Sequence, residues 1–127
     1  MAKTEKRRQP SRIPQQIDQA VRAAEDKKAT DLILLDLRQA AGFTDYFLIC
    51  SGTNPRQIRA IADGVIEALA ATGTRPAYVE GYDRSEWVLL DYFDFIVHVF
   101  APETRQFYSL ERLWGNAERV EVTAGTR

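Results

Sequence analysis

Trp87-Val88-Leu89-Leu90-Asp91-Tyr92-Phe93-Asp94-Phe95-Ile96-Val97-His98-Val99-Phe100 is the stretch that decides the fold. It holds two apolar runs of strand length, Trp87–Asp91 and Phe95–Phe100, separated only by Tyr92-Phe93-Asp94. So short a connection joins neighbouring strands antiparallel, and the stretch predicts a β-hairpin. Side chains alternate across a strand. Trp87, Leu89 and Asp91 therefore share one face, and Val88, Leu90 and Tyr92 the other. His98 lies on the face of Ile96 and Phe100.

Two further apolar runs stand upstream. Leu32–Leu37 follows Asp31, and Tyr46–Cys50 is closed by Ser51-Gly52, with a turn over Ala41–Asp45 between them. Near-continuous apolar runs suit strands covered on both faces. Pro76–Glu80 predicts one short strand more. The first helix follows Pro14, where Ile13, Ile17, Ala20, Val21 and Ala24 make one stripe and Lys27 and Lys28 suit a helix C-terminus. The next has the strongest signals. Asn54 suits an N-cap, Pro55 the first turn and Gln57 a capping box, while Gly73 suits the residue after the end. Pro102 opens a terminal helical region packed through Phe107, Leu110, Leu113 and Trp114. The expected order is αββαβββα: an α/β fold with a mixed sheet of about five strands and helices packed on it.

At 127 residues the chain is one domain by size. We divide it into a basic tail over 1–12, a single domain over 13–117 and a C-terminal tail over 118–127. One cysteine and one histidine exclude a disulfide framework and a cysteine-based zinc site, and point to a reducing, cytoplasmic setting. No apolar run reaches the length of a membrane span, and no apolar stretch follows the N-terminal basic residues as a secretory signal requires. Glu5, Pro10 and the lack of an apolar face argue against a transit peptide. The net charge of -1 is divided unevenly. Lys3, Lys6, Arg7, Arg8 and Arg12 stand against Glu5 in the first twelve residues, so the rest of the chain is acidic.

Candidate chemistry is sparse. Ser51, His98 and Cys50 do not form a recognisable nucleophilic set, and His98 reads as a structural histidine bonded to a neighbour. Ser51-Gly52-Thr53-Asn54 opens a helix and offers a weak phosphate site. Asp91 and Asp94 could pair on a metal, although acids at a hairpin tip are commonplace. No metal and no cofactor is expected. Val79–Asp94 is more informative: Glu80, Asp83, Glu86, Asp91 and Asp94 face Arg84 alone, among Tyr82, Trp87, Tyr92 and Phe93. Aromatic residues ringed by acids suit a protein-docking patch that steers a basic partner and repels phosphates. The competing reading is a solvated acidic turn over a packed aromatic cluster.

The motifs Thr44-Asp45-Tyr46-Phe47, Cys50-Ser51-Gly52-Thr53, Arg56-Gln57, Ile61-Ala62-Asp63, Glu80-Gly81, Trp87–Tyr92, Val97–Phe100, Glu103-Thr104-Arg105 and Phe107–Trp114 resemble, in order, those of the ribosomal silencing factor (Iojap) family. The resemblance runs from about Ile17 to Gly115. It implies a nucleotidyltransferase-like fold without the catalytic carboxylates, and hence no enzyme. It implies docking on the large ribosomal subunit through its protein uL14, which sterically blocks small-subunit joining and represses translation. Mitochondrial relatives act in large-subunit assembly. The implied contact residues are Trp87, Asp91 and Tyr92, with Glu80 and Gly81 on the neighbouring strand end. Asp45, His98 and Arg105 are expected to be structural. Phe93 stands where the family commonly has glycine. Glycine permits positive φ and phenylalanine resists it, so the departure predicts a different turn or an added apolar contact.

The alternatives are a nucleotide-binding enzyme using Ser51-Gly52, Asp91 and Asp94, and a docking module for ribosome assembly. A homodimer through the same apolar surface and an rRNA contact by the basic tail both stay open.

Overall fold

In the computed structural model the described residues are 13–122. The basic stretch 1–12 and residues 123–127 lie outside them. Ten elements follow in order: α1 (Gln15–Asp26), β1 (Thr30–Asp36), β2 (Tyr46–Ser51), α2 (Pro55–Ala70), β3 (Tyr78–Glu80), β4 (Trp87–Asp91), β5 (Phe95–Phe100), α3 (Pro102–Tyr108), α4 (Leu110–Leu113) and β6 (Glu118–Val120). The strands form one mixed sheet in the order β3-β4-β5-β2-β1-β6. β2 and β5 run parallel, and the other neighbours run antiparallel.

The sheet has six strands, not about five, and the terminal helical region is two short helices. The sixth strand lies in the stretch assigned to the C-terminal tail, where Val120 pairs with Leu34 and Arg119 with Leu35. Glu118-Arg119-Val120 carries one apolar residue, so no period-two pattern marks it as a strand. Its partner supplies the order.

α1 and α2 form one layer. Ile17, Ala20, Val21 and Ala24 of α1, with Ile58, Ile61, Ala62, Val65 and Leu69 of α2, are buried against Leu34, Leu48, Cys50, Val88, Leu90, Val97 and Val99. α1 ends at Asp26, with both lysines just beyond its last turn: Lys28 takes φ 68°, and Ala29 N–H reaches back to Ala24 C=O at 3.0 Å. α2 is capped by Asn54, whose side chain accepts Gln57 N–H at 2.8 Å. The Gln57 side chain accepts Thr53 N–H at 2.6 Å, one residue ahead of the expected capping-box partner. Gly73 ends the helix at φ 90°, with Thr74 N–H on Leu69 C=O at 2.9 Å.

The opposite face has a smaller core of Leu35, Leu37, Phe47, Ile49, Ile96, Phe100 and Leu110. The two short helices α3 and α4 lie over it, with Ala40, Ala41, Trp114 and Ala117 of the flanking loops packed at its side. Trp87, Leu89 and Ile33 stay half-buried there.

Candidate functional site

The thinly covered face and the β4–β5 hairpin make the site. β3 pairs with β4 so that Tyr78 stands opposite Asp91 and Glu80 opposite Leu89. Tyr78, Glu80, Trp87, Leu89 and Asp91 thus share the face of Ile96, His98 and Phe100. β3 is an edge strand and all three of its residues are exposed. Tyr78, at 61% exposure, was not singled out from the sequence. Its alternation with Glu80 was the available signal.

Trp87 is held on both sides. Its ring centroid lies 4.8 Å from that of Phe100 and 4.8 Å from that of Tyr108. Its indole N–H donates to His98 Nδ1 at 3.0 Å. Nδ1 is then an acceptor, so the neutral ring carries its proton on Nε2. Nε2 is buried without a hydrogen-bond partner among the described residues. Burial pushes the His98 pKa down to about 3. His98 is therefore a neutral structural histidine bonded to a neighbour, as its strand position suggested. Cys50 stands on the opposite face, paired in register with Val99, and burial pushes its thiol up to about 12. A Cys/His pair is excluded by the sheet between them.

The hairpin residues divide sharply. Tyr92 does not stand out at the tip as its position in the turn suggested. It is 6% exposed, and its ring stacks on Phe95 with centroids 4.9 Å apart. It continues the Val88–Leu90 alternation into the helix-covered core, because Tyr92 N–H still bonds Phe95 C=O at 2.9 Å. Phe93 does stand out, at 68% exposure. It takes φ 71° despite not being glycine. Asp94 N–H bonds Tyr92 C=O across it at 2.8 Å, which makes Tyr92-Phe93-Asp94 a γ-turn. The positive φ that glycine permits is adopted here by phenylalanine. Asp91 Oδ1 accepts Phe93 N–H at 2.8 Å, so one oxygen of this acid holds the turn.

Gly81 has a backbone task. At φ 79° it passes so close to Trp87 that a Cβ would collide with the Trp87 carbonyl oxygen. The loop after it is fastened to α2. Tyr82 Oη donates to Asp63 at 3.0 Å, and Arg59 donates to Ser85 Oγ at 2.8 Å. The Asp63 carboxylate raises the Tyr82 phenol above its usual range. Glu80, Asp83, Glu86 and Asp94 are exposed around this frame.

Three of the N–H donors around Ser51–Asn54 are already bonded within the protein. Gly52 N–H bonds Phe100 C=O at 2.9 Å, and Thr53 and Gln57 N–H are taken within the cap. A Cβ on Gly52 would lie 2.9 Å from Ile58 Cγ1, so this glycine serves helix–strand packing. Ser51 Oγ accepts from Arg105 at 2.8 Å, and Arg105 Nε pairs with Glu111 at 2.9 Å. Arg105 is thus structural, as expected, and bonds α3 to β2 and α4. The Asp45 backbone is bonded on both sides: its N–H bonds Asp94 C=O at 3.0 Å and its C=O takes Leu37 N–H at 2.8 Å.

Comparison with known proteins adds an independent line. The profile of the family described as "Ribosomal silencing factor during starvation" matches residues 10–127. The chain is similar to the ribosomal silencing factor of Bacillus subtilis, 39% identical over 106 residues, which span 84% of this chain and 90% of that protein. A crystal structure of a protein from Bacillus halodurans superposes with a TM-score of 0.74 at 37% identity, covering 83% of this chain and 95% of that one. The mouse protein named "Mitochondrial assembly of ribosomal large subunit protein 1" is 31% identical over 101 residues, 77% of this chain and 44% of that protein.

Proposed function

Because the chain belongs to the ribosomal silencing factor family, we propose that it docks on the large ribosomal subunit and silences translation by occupying space the small subunit needs. The observation that carries this reading is the thinly covered sheet face beside an acidic hairpin tip. A basic protein surface fits it, and phosphates do not. We assign the partner as uL14, and the contact to Trp87, Glu80 and Phe93, with Asp91 setting the turn through the Phe93 N–H. Tyr92 and Gly81 contribute from behind, by packing and by backbone course. The action is steric and needs no catalysis, cofactor or metal, and it takes place in the cytoplasm. The basic stretch 1–12 suits rRNA phosphates, and pairing of the same face in a homodimer would compete with docking.

The test is sedimentation with separated ribosomal subunits, followed by re-association. The protein should travel with large subunits and reduce the re-formation of whole ribosomes when small subunits are added. Co-sedimentation with small subunits alone, or with neither, would sink the proposal. Glu80→Arg and Asp94→Arg should weaken association without unfolding the protein. A second reading, docking during large-subunit assembly, is favoured by the name of the mouse relative. It predicts that cells lacking the protein accumulate immature large subunits, whereas the silencing reading predicts normal subunits that join too freely.

A further inference from the structure

Phe93 occupies a backbone conformation that opposes its residue type. Five non-glycine residues have positive φ among the described residues: Lys28, Asp31, Ser85, Phe93 and Ser109. Lys28 and Ser109 each close a helix, where the left-handed conformation is ordinary. Asp31 sits where β1 slips register against β2. Ser85 is buried, and its hydroxyl is bonded on both sides. Phe93 alone is large and apolar, and it belongs to neither core. Turn chemistry would favour glycine or asparagine there.

The surroundings hold the residue fast. Phe93 N–H donates to Asp91 Oδ1 at 2.8 Å, and Phe93 C=O accepts from Thr44 Oγ1 at 2.7 Å. Asp45 N–H fastens the next carbonyl, that of Asp94, at 3.0 Å. Strain that the surroundings impose at an exposed position points to a task outside the fold. A ring whose backbone is already fixed loses less freedom on docking than one on a loose loop. The charge around it is one-sided. Asp91 and Asp94 are in no ion pair among the described residues, while Asp45 lies in the field of Arg38, whose guanidinium is held by Asp36 at 2.7 Å.

We infer that Phe93 is an apolar anchor, which the strained turn presents to an apolar socket with a basic rim on a protein of the large ribosomal subunit. Asp91 is a positioning residue that acts through Phe93 N–H. This rests on the docking reading above and deepens it.

The experiment measures thermal unfolding and large-subunit co-sedimentation on the full chain. Phe93→Gly should relieve the turn and raise the melting temperature by roughly 2–5 °C, yet weaken co-sedimentation about tenfold or more. Phe93→Asn, which also tolerates positive φ, should weaken it similarly. Asp91→Ala should weaken binding, and Asp91→Asn, which keeps the acceptor, should restore most of it. A photoreactive benzoylphenylalanine at position 93 should crosslink to a ribosomal protein. Unchanged binding by Phe93→Gly overturns the anchor, as does a crosslink to rRNA. Asp91→Asn as weak as Asp91→Ala overturns the positioning role. If the wild-type chain does not sediment with large subunits, the docking reading itself falls, which is a different result from a wild type that binds and a Phe93→Gly variant that binds equally.

Discussion

The two faces of the sheet are built to different standards. One is covered by two helices of 12 and 16 residues, and its core residues are almost all inaccessible. The other is covered by helices of 7 and 4 residues. It keeps polar links in its interior, Trp87 to His98 and Arg105 to Ser51 and Glu111, and leaves Phe43, Phe107, Leu113 and Tyr108 exposed at its margins. Apolar burial without polar groups is the cheaper way to stabilise a fold. The first face supplies stability in that way. The second gives up coverage, and that leaves apolar side chains open at its margins.

This contrast can be broken, starting with the largest effect. Ile61→Ala, on the well-covered face, should cost about 3–5 kcal/mol in denaturant unfolding. Large-subunit binding by the fraction still folded should not change. Equal loss of binding per folded molecule would mean that the faces are not separate in function. Arg105→Met removes the guanidinium that joins Glu111 and Ser51 and should cost about 2–4 kcal/mol. A double-mutant cycle with Glu111→Gln should show the two costs to be far from additive, and additivity would remove the link as a support of the thin face.

The pH dependence comes next. The His98 pKa lies near 3 in the folded chain, against 6.5 for the ordinary side chain. The unfolded chain therefore binds the proton first as pH falls. The stability due to neutral His98 is complete above pH 6.5 and is lost steadily down towards pH 3. Between pH 6.5 and 5 the loss should be about 2 kcal/mol. It should vanish in His98→Asn, whose Oδ1 can take the Trp87 N–H. A wild-type profile that stays flat over this range would contradict the buried neutral ring. Asn54→Ala is the mildest test. It removes the α2 cap and should cost about 1 kcal/mol, with binding unchanged.

The well-covered face was the more legible one. Asn54-Pro55 and Gln57 fix the start of α2 because capping is local chemistry, and the stripe from Ile58 to Leu69 fixes its buried side. The hairpin was legible because its strands lie so close in sequence. What lay hidden depends on distance along the chain. Thr44 reaches Phe93 from 49 residues away, and β6 becomes a strand only by meeting β1. Tyr92 lies in the connection, yet its ring is buried because the alternation of Val88 and Leu90 runs one residue past β4. Phe93 was seen as a departure, but whether the turn would change was decided by the Asp91 and Thr44 hydrogen bonds.

The pairing of β6 with β1 bears on how the molecule is made. β1 is synthesised early and β6 more than 80 residues later, so the outer margin of β1 has no partner while the other strands emerge. An unpaired strand margin invites pairing with other chains. During its own translation the protein therefore carries an open margin along the seven-residue β1, and the arrival of Glu118–Val120 moves that margin out to β6, so that the finished sheet ends on two three-residue strands, β3 and β6. Completion of the sheet is thus a late event, and a nascent chain stalled before residue 118 would be the form most prone to self-association.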